Sequence, residues 1–376
     1  MMTEPSAGVR ITVTFAGRPA TASSLVAPLL YNKTRVLQFE EDDSPRTIFT
    51  DVYPLFEGGV AGNGQVCPGL RFSDGCGNRR PYTAAVAING HNPYNNSVWL
   101  DAGSGRDASK MTWVQAQELL DHGWDIENHS DLHTASSPAP AQQLATLDAL
   151  ISAHLRGYRP TVHIVPTNFT GYPTAAFAAN YVAVSSTSQS DGLPMKNPYN
   201  DKRVRLLDLP TTPFVYQRYN ADAGGNESAD ALLSRLKALS DALMAPGENA
   251  GEVFLQRVFT HGISFDVLSG WLNYTQAIAH DQLWVTTLRE FAEYRRMSRQ
   301  VVKTEVLSGN TLTIDLDYTG VSANTRFQNL TLLINSPEAI SGITVSGASG
   351  ASYNLAARQV NIFNSPAQRG PAAVDR

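Results

Sequence analysis

Two histidines four residues apart are the strongest chemical signal in this sequence. His129 and His133 stand in the run NHSDLH, directly after a segment with the pattern of a strand. Imidazoles at this spacing can point the same way on one turn of helix, where they suit zinc or a similar borderline cation. The chain has 8 histidines, so such a pair also arises by chance in roughly one sequence in six. Spacing alone therefore leaves both interpretations open.

An acidic run at residues 40–43 (EEDD) is the second candidate, and Ser44 and Pro45 follow it. Adjacent carboxylates repel one another, so four in a row are costly unless a cation or solvent relieves them. Asp43 or Ser44 could instead cap a helix that begins with Pro45, where acidic side chains are favourable. Taken alone, this run is better explained as a helix cap.

These two groups and a third histidine, His261, each follow a predicted strand. His261 stands in the run VFTHGIS. Because parallel α/β folds gather their active sites at the carboxyl ends of their strands, we expect the three groups to lie together. Two histidines, one aspartate and an open position would make a catalytic metal site rather than a closed structural one.

The elements that must position these residues indicate two kinds of structure. Up to about residue 298, short apolar runs alternate with helical segments, which predicts an α/β fold with a parallel barrel or part of one. From about Val301, short alternating runs broken by Gly, Asn and Ser predict a small all-β sandwich. The predicted domains are therefore residues 1–298 and 299–376.

The predicted strands are 35–41, 82–88, 124–127, 161–165, 181–185, 204–209 and 253–260, and the predicted helices are 44–56, 112–122, 141–156, 229–244 and 287–297. Apolar periodicity and the Gly and Pro residues between segments set these bounds.

Composition narrows the classes of function. The 376 residues are 42% hydrophobic and 17% charged, as in an ordinary soluble protein. A formal net charge of −5 without a run of Lys or Arg argues against a nucleic-acid partner. No apolar run reaches about 18 residues, so no membrane-spanning helix is expected. Cys67 and Cys76 could close a loop as a disulfide or stay reduced, and both alternatives are open.

The order and spacing of these motifs resemble those of the NodB-homology polysaccharide deacetylases, carbohydrate esterase family four, along most of residues 35–297. The run DDSP at 42–45 is similar to the family's Asp-Asp-Gly-Pro motif, whose first Asp is the base and whose second binds metal. The run GWDIENHSDLH resembles the family's histidine metal motif, and VFTHGIS resembles the motif with the general acid. The resemblance implies a distorted (β/α) barrel of the polysaccharide deacetylase type, followed here by the β-sandwich-like region.

The resemblance also implies roles for individual residues. Asp43, His129 and His133 would hold one divalent metal ion, with zinc as the first expectation and cobalt, nickel or iron as alternatives. Asp42 would be the catalytic base and His261 the general acid. The implied reaction is the removal of acetyl groups from an N-acetylated or O-acetylated polysaccharide.

The sequence departs from the family pattern at the substrate wall. The family's third motif carries an Arg-x-Pro that orients the base, whereas the segment HIVPTNFTGY has Pro166 and no Arg. We therefore predict Asn168 and Tyr172 as substrate contacts at this wall. Loop aromatics are further candidates for contact with sugar rings, with core packing as the alternative for each. They are Tyr94, Trp99, Trp271 and Tyr274.

Three functions follow from these observations. The first is a polysaccharide deacetylase, and the second, suggested by the missing Arg, is an amide hydrolase on a non-glycan substrate. The third is a non-catalytic carbohydrate-binding protein with a relic site, against which the five retained motif residues argue. The family resemblance implies a secreted or periplasmic protein, but no signal peptide is visible, so a cytoplasmic location stays open.

Overall fold

The computed structural model describes residues 8–101, 107–196 and 202–364. Its contacts divide the chain into two compact units. One, the α/β unit, comprises residues 35–72 and 81–289, and the other, the β unit, comprises the described parts of 1–34, 73–80 and 290–376. None of the described helices combines the length and the hydropathy that a membrane span requires.

The strands are short and numerous. In chain order they are β1 (Gly8–Phe15), β2 (Ser23–Val26), β3 (Arg35–Glu41), β4 (Gly59–Val60), β5 (Val66–Cys67), β6 (Arg71–Ser73), β7 (Arg79–Pro81), β8 (Ala85–Ile88), β9 (Asp125–Asn128), β10 (Val162–Ile164), β11 (Ala183–Ser186), β12 (Met195–Lys196), β13 (Val204–Arg205), β14 (Val215–Gln217), β15 (Tyr219–Asn220), β16 (Phe254–Thr260), β17 (Leu283–Val285), β18 (Val302–Ser308), β19 (Thr311–Asp317), β20 (Leu330–Asn335), β21 (Ile340–Ser346), β22 (Gly350–Asn354) and β23 (Gln359–Phe363).

The described α-helices are α1 (Tyr53–Glu57), α2 (Trp113–Asp121), α3 (Pro140–His154), α4 (Tyr172–Ala178), α5 (Ala229–Met244), α6 (Phe265–Ile278) and α7 (Leu288–Gln300). Shorter helical turns occupy Leu30–Asn32, Pro166–Asn168 and Leu206–Asp208, and a π-helical turn, Ile48–Val52, leads into α1.

The large sheet of the α/β unit consists mostly of parallel strands. Its order is β12-β14-β11-β10-β9-β8-β3-β16-β13, with β15 paired to β16 and β17 to β3. Along this order only the pairing of β13 with β16 is antiparallel. Parallel strands connected through helices confirm the predicted mixed α/β class. Among the described residues no pairing joins β12 to β13, so closure into a barrel stays a prediction.

Strand β3 ends with the first two residues of the acidic run, Glu40 and Glu41, and all of its residues are buried. It pairs in parallel with β16, β8 and β17. A strand buried on both faces is usually apolar throughout, but this one reads RVLQFEE. Gln38 and Glu40 therefore need polar partners inside the sheet, because an unpaired buried carboxylate is costly.

Helix α2 shows why some boundaries were predictable. The Thr112 side chain accepts a hydrogen bond from the backbone N–H of Gln115, whose side chain accepts one from the backbone N–H of Thr112. This capping box fixes the first turn. Gly123 follows the helix with a φ of 82°, a conformation that suits glycine at a helix end.

The helix predicted at 44–56 starts later than expected. Pro45 forms an isolated β-bridge with Lys110 instead of opening a helix, and the helical turn begins at Ile48. The reason is local, because Asp43 and Ser44 both have a positive φ, which takes the chain out of the helical path.

Two helices were not predicted at all, α4 and α6. Helix α6 contains Gly270, which lowers intrinsic helix propensity. A Cβ at Gly270 would stand 3.3 Å from the side chain of Leu233 on α5. Tertiary packing of α6 against α5 thus favours a residue that weakens the local helical signal.

The β unit contains two antiparallel four-stranded sheets, ordered β18-β19-β1-β21 and β2-β20-β23-β22. The strands predicted in the C-terminal region are among them, and their packing into a sandwich stays a prediction. Residues 8–34 depart from the predicted boundary, since the sequence assigned them to the first domain. Strand β1 pairs with β19 and β21, and strand β2 pairs with β20. Alternate residues of β1 are buried, as expected for a strand with one apolar face.

Both cysteines are free thiols, which answers the question that the sequence left open. The alternative of a loop disulfide between Cys67 and Cys76 is therefore wrong. Burial raises the pKa of both thiols, that of Cys76 to about 11. Both sulfurs are therefore protonated near pH 7 and are poor nucleophiles.

Candidate metal centre

The three predicted metal ligands come together at the carboxyl end of the parallel sheet. Asp43 follows β3, while His129 and His133 lie in the segment after β9. The prediction that the two histidines share a turn of helix is wrong, since residues 129–133 form an irregular segment. Positive φ angles at Ser130 (70°) and His133 (54°) turn this segment so that both rings approach Asp43.

The donor atoms of these residues are spaced as a small cation requires. One ligand atom from each of the three residues lies within 4.8 Å of the other two. The Nε2 atoms of His129 and His133 are 3.6 and 3.7 Å from Oδ1 of Asp43. Two ligands bound about 2.1 Å from a tetrahedral ion stand roughly 3.4 Å apart. The residues present therefore fit a divalent metal ion with room for a further ligand.

Hydrogen bonds select the histidine tautomer that metal binding needs. Nδ1 of His129 lies 2.9 Å from the carbonyl oxygen of Ile164, so Nδ1 carries the proton and donates. Nε2 is thereby left as the free lone pair facing Asp43. Burial first, and the neighbouring His129 second, lower the pKa of His133 to about 4. Its imidazole is therefore neutral near pH 7, which is the form that binds metal.

The turn that carries Asp43 is strained and strongly held. Asp43 and Ser44 have φ values of 69° and 58°, and a non-glycine residue in this region costs about 1–2 kcal/mol. Ser44 stands where the related motif has Gly. Its backbone N–H donates to Ala87, its hydroxyl oxygen accepts from the N–H of Asn89, and the Lys110 ammonium donates to the carbonyl of Asp43. These bonds offset the strain that Ser introduces.

The predicted base, Asp42, is buried beside the ligands and is paired with an arginine. Both guanidinium NH₂ groups of Arg218 donate to its carboxylate, at 2.7 Å each. Arg218 also donates to Glu40, which accepts a second bond from Arg257. Burial alone would raise the pKa of Asp42, but the charge and hydrogen bonds of Arg218, together with His129, lower it overall. The carboxylate is therefore ionised near pH 7.

Arg218 is the functional residue that sequence reasoning missed. The family motif places an arginine in the segment HIVPTNFTGY, which has none. The structure supplies it from the residue after β14. Two signals pointed to it, an arginine at the end of the apolar run FVYQ and the buried carboxylates of β3 that needed a partner.

The predicted acid, His261, faces Asp42 from the end of β16. Its Nε2 lies 4.0 Å from Oδ2 of Asp42, and its side chain is 49% exposed. Nδ1 donates to Asp222 at 2.7 Å, and this hydrogen bond is the main reason that the pKa of His261 is raised. The family's fourth motif is at best represented by Asp208 in the run LLDLP, but Asp208 pairs with Arg205. Asp222 is thus the carboxylate that orients His261.

Two of the three predicted substrate contacts, Tyr172 and Trp271, lie in the core. Tyr172 is fully buried and stacks on His163, with its hydroxyl donating to the carbonyl of Thr134. Trp271 is also fully buried and donates its indole N–H to Ser240. Both predictions are corrected, because a ring enclosed in the core offers no surface to a sugar.

Asn168 has a structural use as well. Its side-chain oxygen accepts hydrogen bonds from the hydroxyls of Ser186 and Thr187 and from the N–H of Ser188. The amide oxygen is thereby committed to joining two loops. A substrate contact by Asn168 stays a prediction that would have to use its amide NH₂.

Two cavities flank the metal ligands and share Asp43 and Lys110. The larger, of about 750 Å³, also includes Asp42 and His261. The smaller, of about 490 Å³, also includes His133 and the loop aromatics Tyr94 and Trp99. Of the four aromatics considered from the sequence, these two therefore lie beside the centre. Together the cavities provide space on both sides of the ligands for an extended substrate.

Comparison with known proteins adds three solved structures. No protein-family model matches the chain, and no curated protein matches it. A deacetylase from Streptococcus pyogenes solved with acetate is 13% identical, at a TM-score of 0.28. The match covers 40% of this chain and 55% of that protein, so this chain spans about half of its length.

The other two have longer matches. A family 4 carbohydrate esterase from Streptomyces lividans solved with acetate is 12% identical over 67% of this chain and 91% of its own, at a TM-score of 0.35. A pseudoenzyme of the same family from Bacillus anthracis is 12% identical over 69% of this chain and 66% of its own, at a TM-score of 0.38. Both of these proteins are described as members of carbohydrate esterase family four, the family whose motifs the sequence resembles.

Proposed function

We propose that this chain is a metal-dependent hydrolase that removes acetyl groups from an N-acetylated or O-acetylated polysaccharide. One observation carries the proposal, namely the position of Asp42 between the ligand histidines and His261. Oδ2 of Asp42 lies 3.9 Å from Nε2 of His129 and 4.0 Å from Nε2 of His261. A base, an acid and a metal-ligand set within one site are the parts that acyl-transfer hydrolysis requires.

Asp43, His129 and His133 would hold the metal, and zinc suits this set of nitrogen and oxygen donors. A divalent ion bound there would supply Lewis-acid activation of the attacking water and of the acyl oxygen. The hydrogen bond from His129 to Ile164 keeps the ligand ring oriented. The neutral state of His133 favours a bound cation over a bound proton.

Asp42 acts as the base in this proposal. Its carboxylate accepts a proton from water as the water oxygen attacks the carbonyl carbon. Arg218 donates a hydrogen bond to each carboxylate oxygen of Asp42 and so holds the carboxylate beside the ligands. The arginine also keeps Asp42 ionised although it is buried, which is the state that a base needs.

His261 acts as the acid. Asp222 holds its Nδ1, so Nε2 is the nitrogen on the side of Asp42 and the ligands. The raised pKa of His261 keeps Nε2 protonated closer to neutral pH. Donation of that proton to the departing nitrogen or oxygen completes the cleavage, because an unprotonated amine is a very poor leaving group.

The alternative of a non-glycan substrate was based on the absence of an arginine beside the base. Arg218 supplies that arginine, so this reason no longer applies. The remaining alternative is a relic site without activity. Its residues argue against it, because the base, the acid, their two partners and all three ligand positions keep functional side chains. A decayed site need not retain all seven.

The test combines metal content with acetate release. We expect one divalent ion per chain by mass spectrometry and metal-dependent acetate release from an N-acetylglucosamine oligomer. His129→Ala should lose both, because it deletes a buried ligand. His163→Ala is the matched control, since His163 is also buried but donates to Asn128 outside the ligand set. A stable wild type that binds no metal after reconstitution would refute the catalytic proposal.

A further inference from the structure

The smaller cavity has a charge distribution that the proposed chemistry does not use. Among the described residues that line it, Lys110 is the only charged side chain besides Asp43. The ammonium of Lys110 is half-buried, and among the described residues it has no carboxylate partner; its hydrogen bond goes to the carbonyl oxygen of Asp43, at 2.6 Å. An ammonium has three N–H donors, so two remain for a ligand.

Lys110 is also held in place before any ligand arrives. Its Nζ lies 5.3 Å from the centroid of the Trp99 ring, over the ring. The Asp43 carbonyl and the Trp99 ring thus fix a long side chain that would otherwise be mobile. Fixing a cation in advance reduces the entropy that an anionic ligand must lose on binding.

Tyr94 completes the cavity with an open aromatic surface. Its side chain is 95% exposed, although the ring lies in the wall of the smaller cavity. An isolated exposed tyrosine contributes little to folding, but its ring face suits the apolar face of a sugar. The cavity therefore joins an apolar platform to a fixed positive charge, next to the ligands.

The larger cavity differs in this respect. Its lining includes two cations, Lys110 and Arg46, but it adds two carboxylates, Asp42 and Asp51, to that of Asp43. The carboxylate of Asp51 is kept near the cavity by a hydrogen bond from the N–H of Gly62. Lys110 borders both cavities, but among the described lining residues the smaller cavity has one carboxylate and the larger has three, so a negatively charged sugar unit is better accommodated in the smaller cavity.

We propose that the smaller cavity is a subsite for a carboxylate-bearing sugar unit, with Lys110 binding the carboxylate and Tyr94 contacting the ring. The substrate is then an acidic polysaccharide in which an acetylated unit neighbours a uronate-type unit. This inference rests on the proposed function for the identity of the ligand as a glycan, and a binding measurement tests it separately from catalysis.

The experiment uses the full chain loaded with zinc and two matched ligands. One is a hexasaccharide of alternating N-acetylglucosamine and glucuronate, and the other is the same hexasaccharide with its carboxylates reduced to alcohols. Calorimetry should give about tenfold tighter binding of the charged ligand, as expected for a charge-assisted hydrogen bond. Equal affinity for the two ligands would overturn the subsite.

Three variants locate the effect. Lys110→Met should abolish the preference for the charged ligand, whereas Lys110→Arg should retain most of it and also shows that the loop tolerates substitution. Arg46→Met removes a cation that lines the other cavity, so it should keep the preference. If Lys110→Met keeps the preference, or Arg46→Met loses it equally, the proposal is refuted. Acetate release from a neutral N-acetylglucosamine oligomer, measured in parallel, reports on the proposed function alone.

Discussion

The proposed base and the proposed acid of this site differ in burial and in the number of charged partners. Asp42 is 1% exposed, and a buried chain of charges from Arg257 through Glu40 to Arg218 keeps it ionised. His261 is 49% exposed, and Asp222, itself 28% exposed, raises its pKa. Burying a charge requires a partner for almost every charge nearby, whereas a half-exposed group needs only one. The base therefore lies in the core, and the acid lies at the surface.

This difference predicts unequal effects on stability, and the largest is expected at Arg218. Arg218→Met leaves Asp42 and Glu40 as buried carboxylates that have lost a hydrogen-bonded partner. Breaking a buried ion pair from one side costs about 3–5 kcal/mol. The midpoint of urea unfolding should fall accordingly, with His261→Ala as the control that falls much less. If both variants unfold at the same urea concentration, the claim that the base depends on buried charge partners and the acid does not is wrong.

A smaller effect, mainly on catalysis, is expected at Asp222. Asp222→Asn removes the hydrogen-bonded carboxylate that raises the pKa of His261, so His261 loses its proton at lower pH. Because the acid must be protonated, the alkaline limb of kcat/KM should shift to lower pH. The loss of stability at neutral pH should be smaller than that of Arg218→Met, because Asp222 is only partly buried. An alkaline limb that stays in place would show that His261 is not the acid.

The smallest effect is the pH dependence of stability that the exposed pair contributes. The pKa of Asp222 is lowered to about 2; burial opposes this shift, and hydrogen bonds with His261 and Thr260 outweigh it. The lowered pKa of Asp222 adds to the free energy of unfolding. This stabilisation is present above about pH 4, the pKa of Asp in the unfolded chain, and is lost as the pH falls towards 2.

The pKa of His261 is raised, so His261 stabilises the folded state when it is protonated. This stabilisation is complete below about pH 6.5, the pKa of His in the unfolded chain, and is lost as the pH rises through the folded pKa. The pair therefore stabilises most between about pH 4 and 6.5. The Tm of wild type and that of Asp222→Asn should be measured below, within and above this range. The difference between the two Tm values should be largest within it. A difference that is constant with pH would contradict the pairing.

Local patterns predicted much of the α/β unit because its signals act over few residues. Strand 35–41 and helix 229–244 were predicted with their observed bounds, and α2 was predicted within a residue at each end. The strand patterns in the β unit were also visible, but the partners of β1 were not. Pairing between β1 and β19 joins residues about 300 positions apart, and no local pattern encodes such a distance.

The sequence by itself determined which side chains are available for chemistry, since the order of Asp42, Asp43, His129, His133 and His261 after predicted strands follows from short motifs. Only the tertiary structure decided which arginine pairs with Asp42 and which aspartate holds His261. Arg218 and Asp222 reach their partners from β14 and β15, through the register of a parallel sheet. The tertiary structure likewise decided that Trp271 is core while Tyr94 is surface, because burial depends on what packs around a ring and not on the residue type.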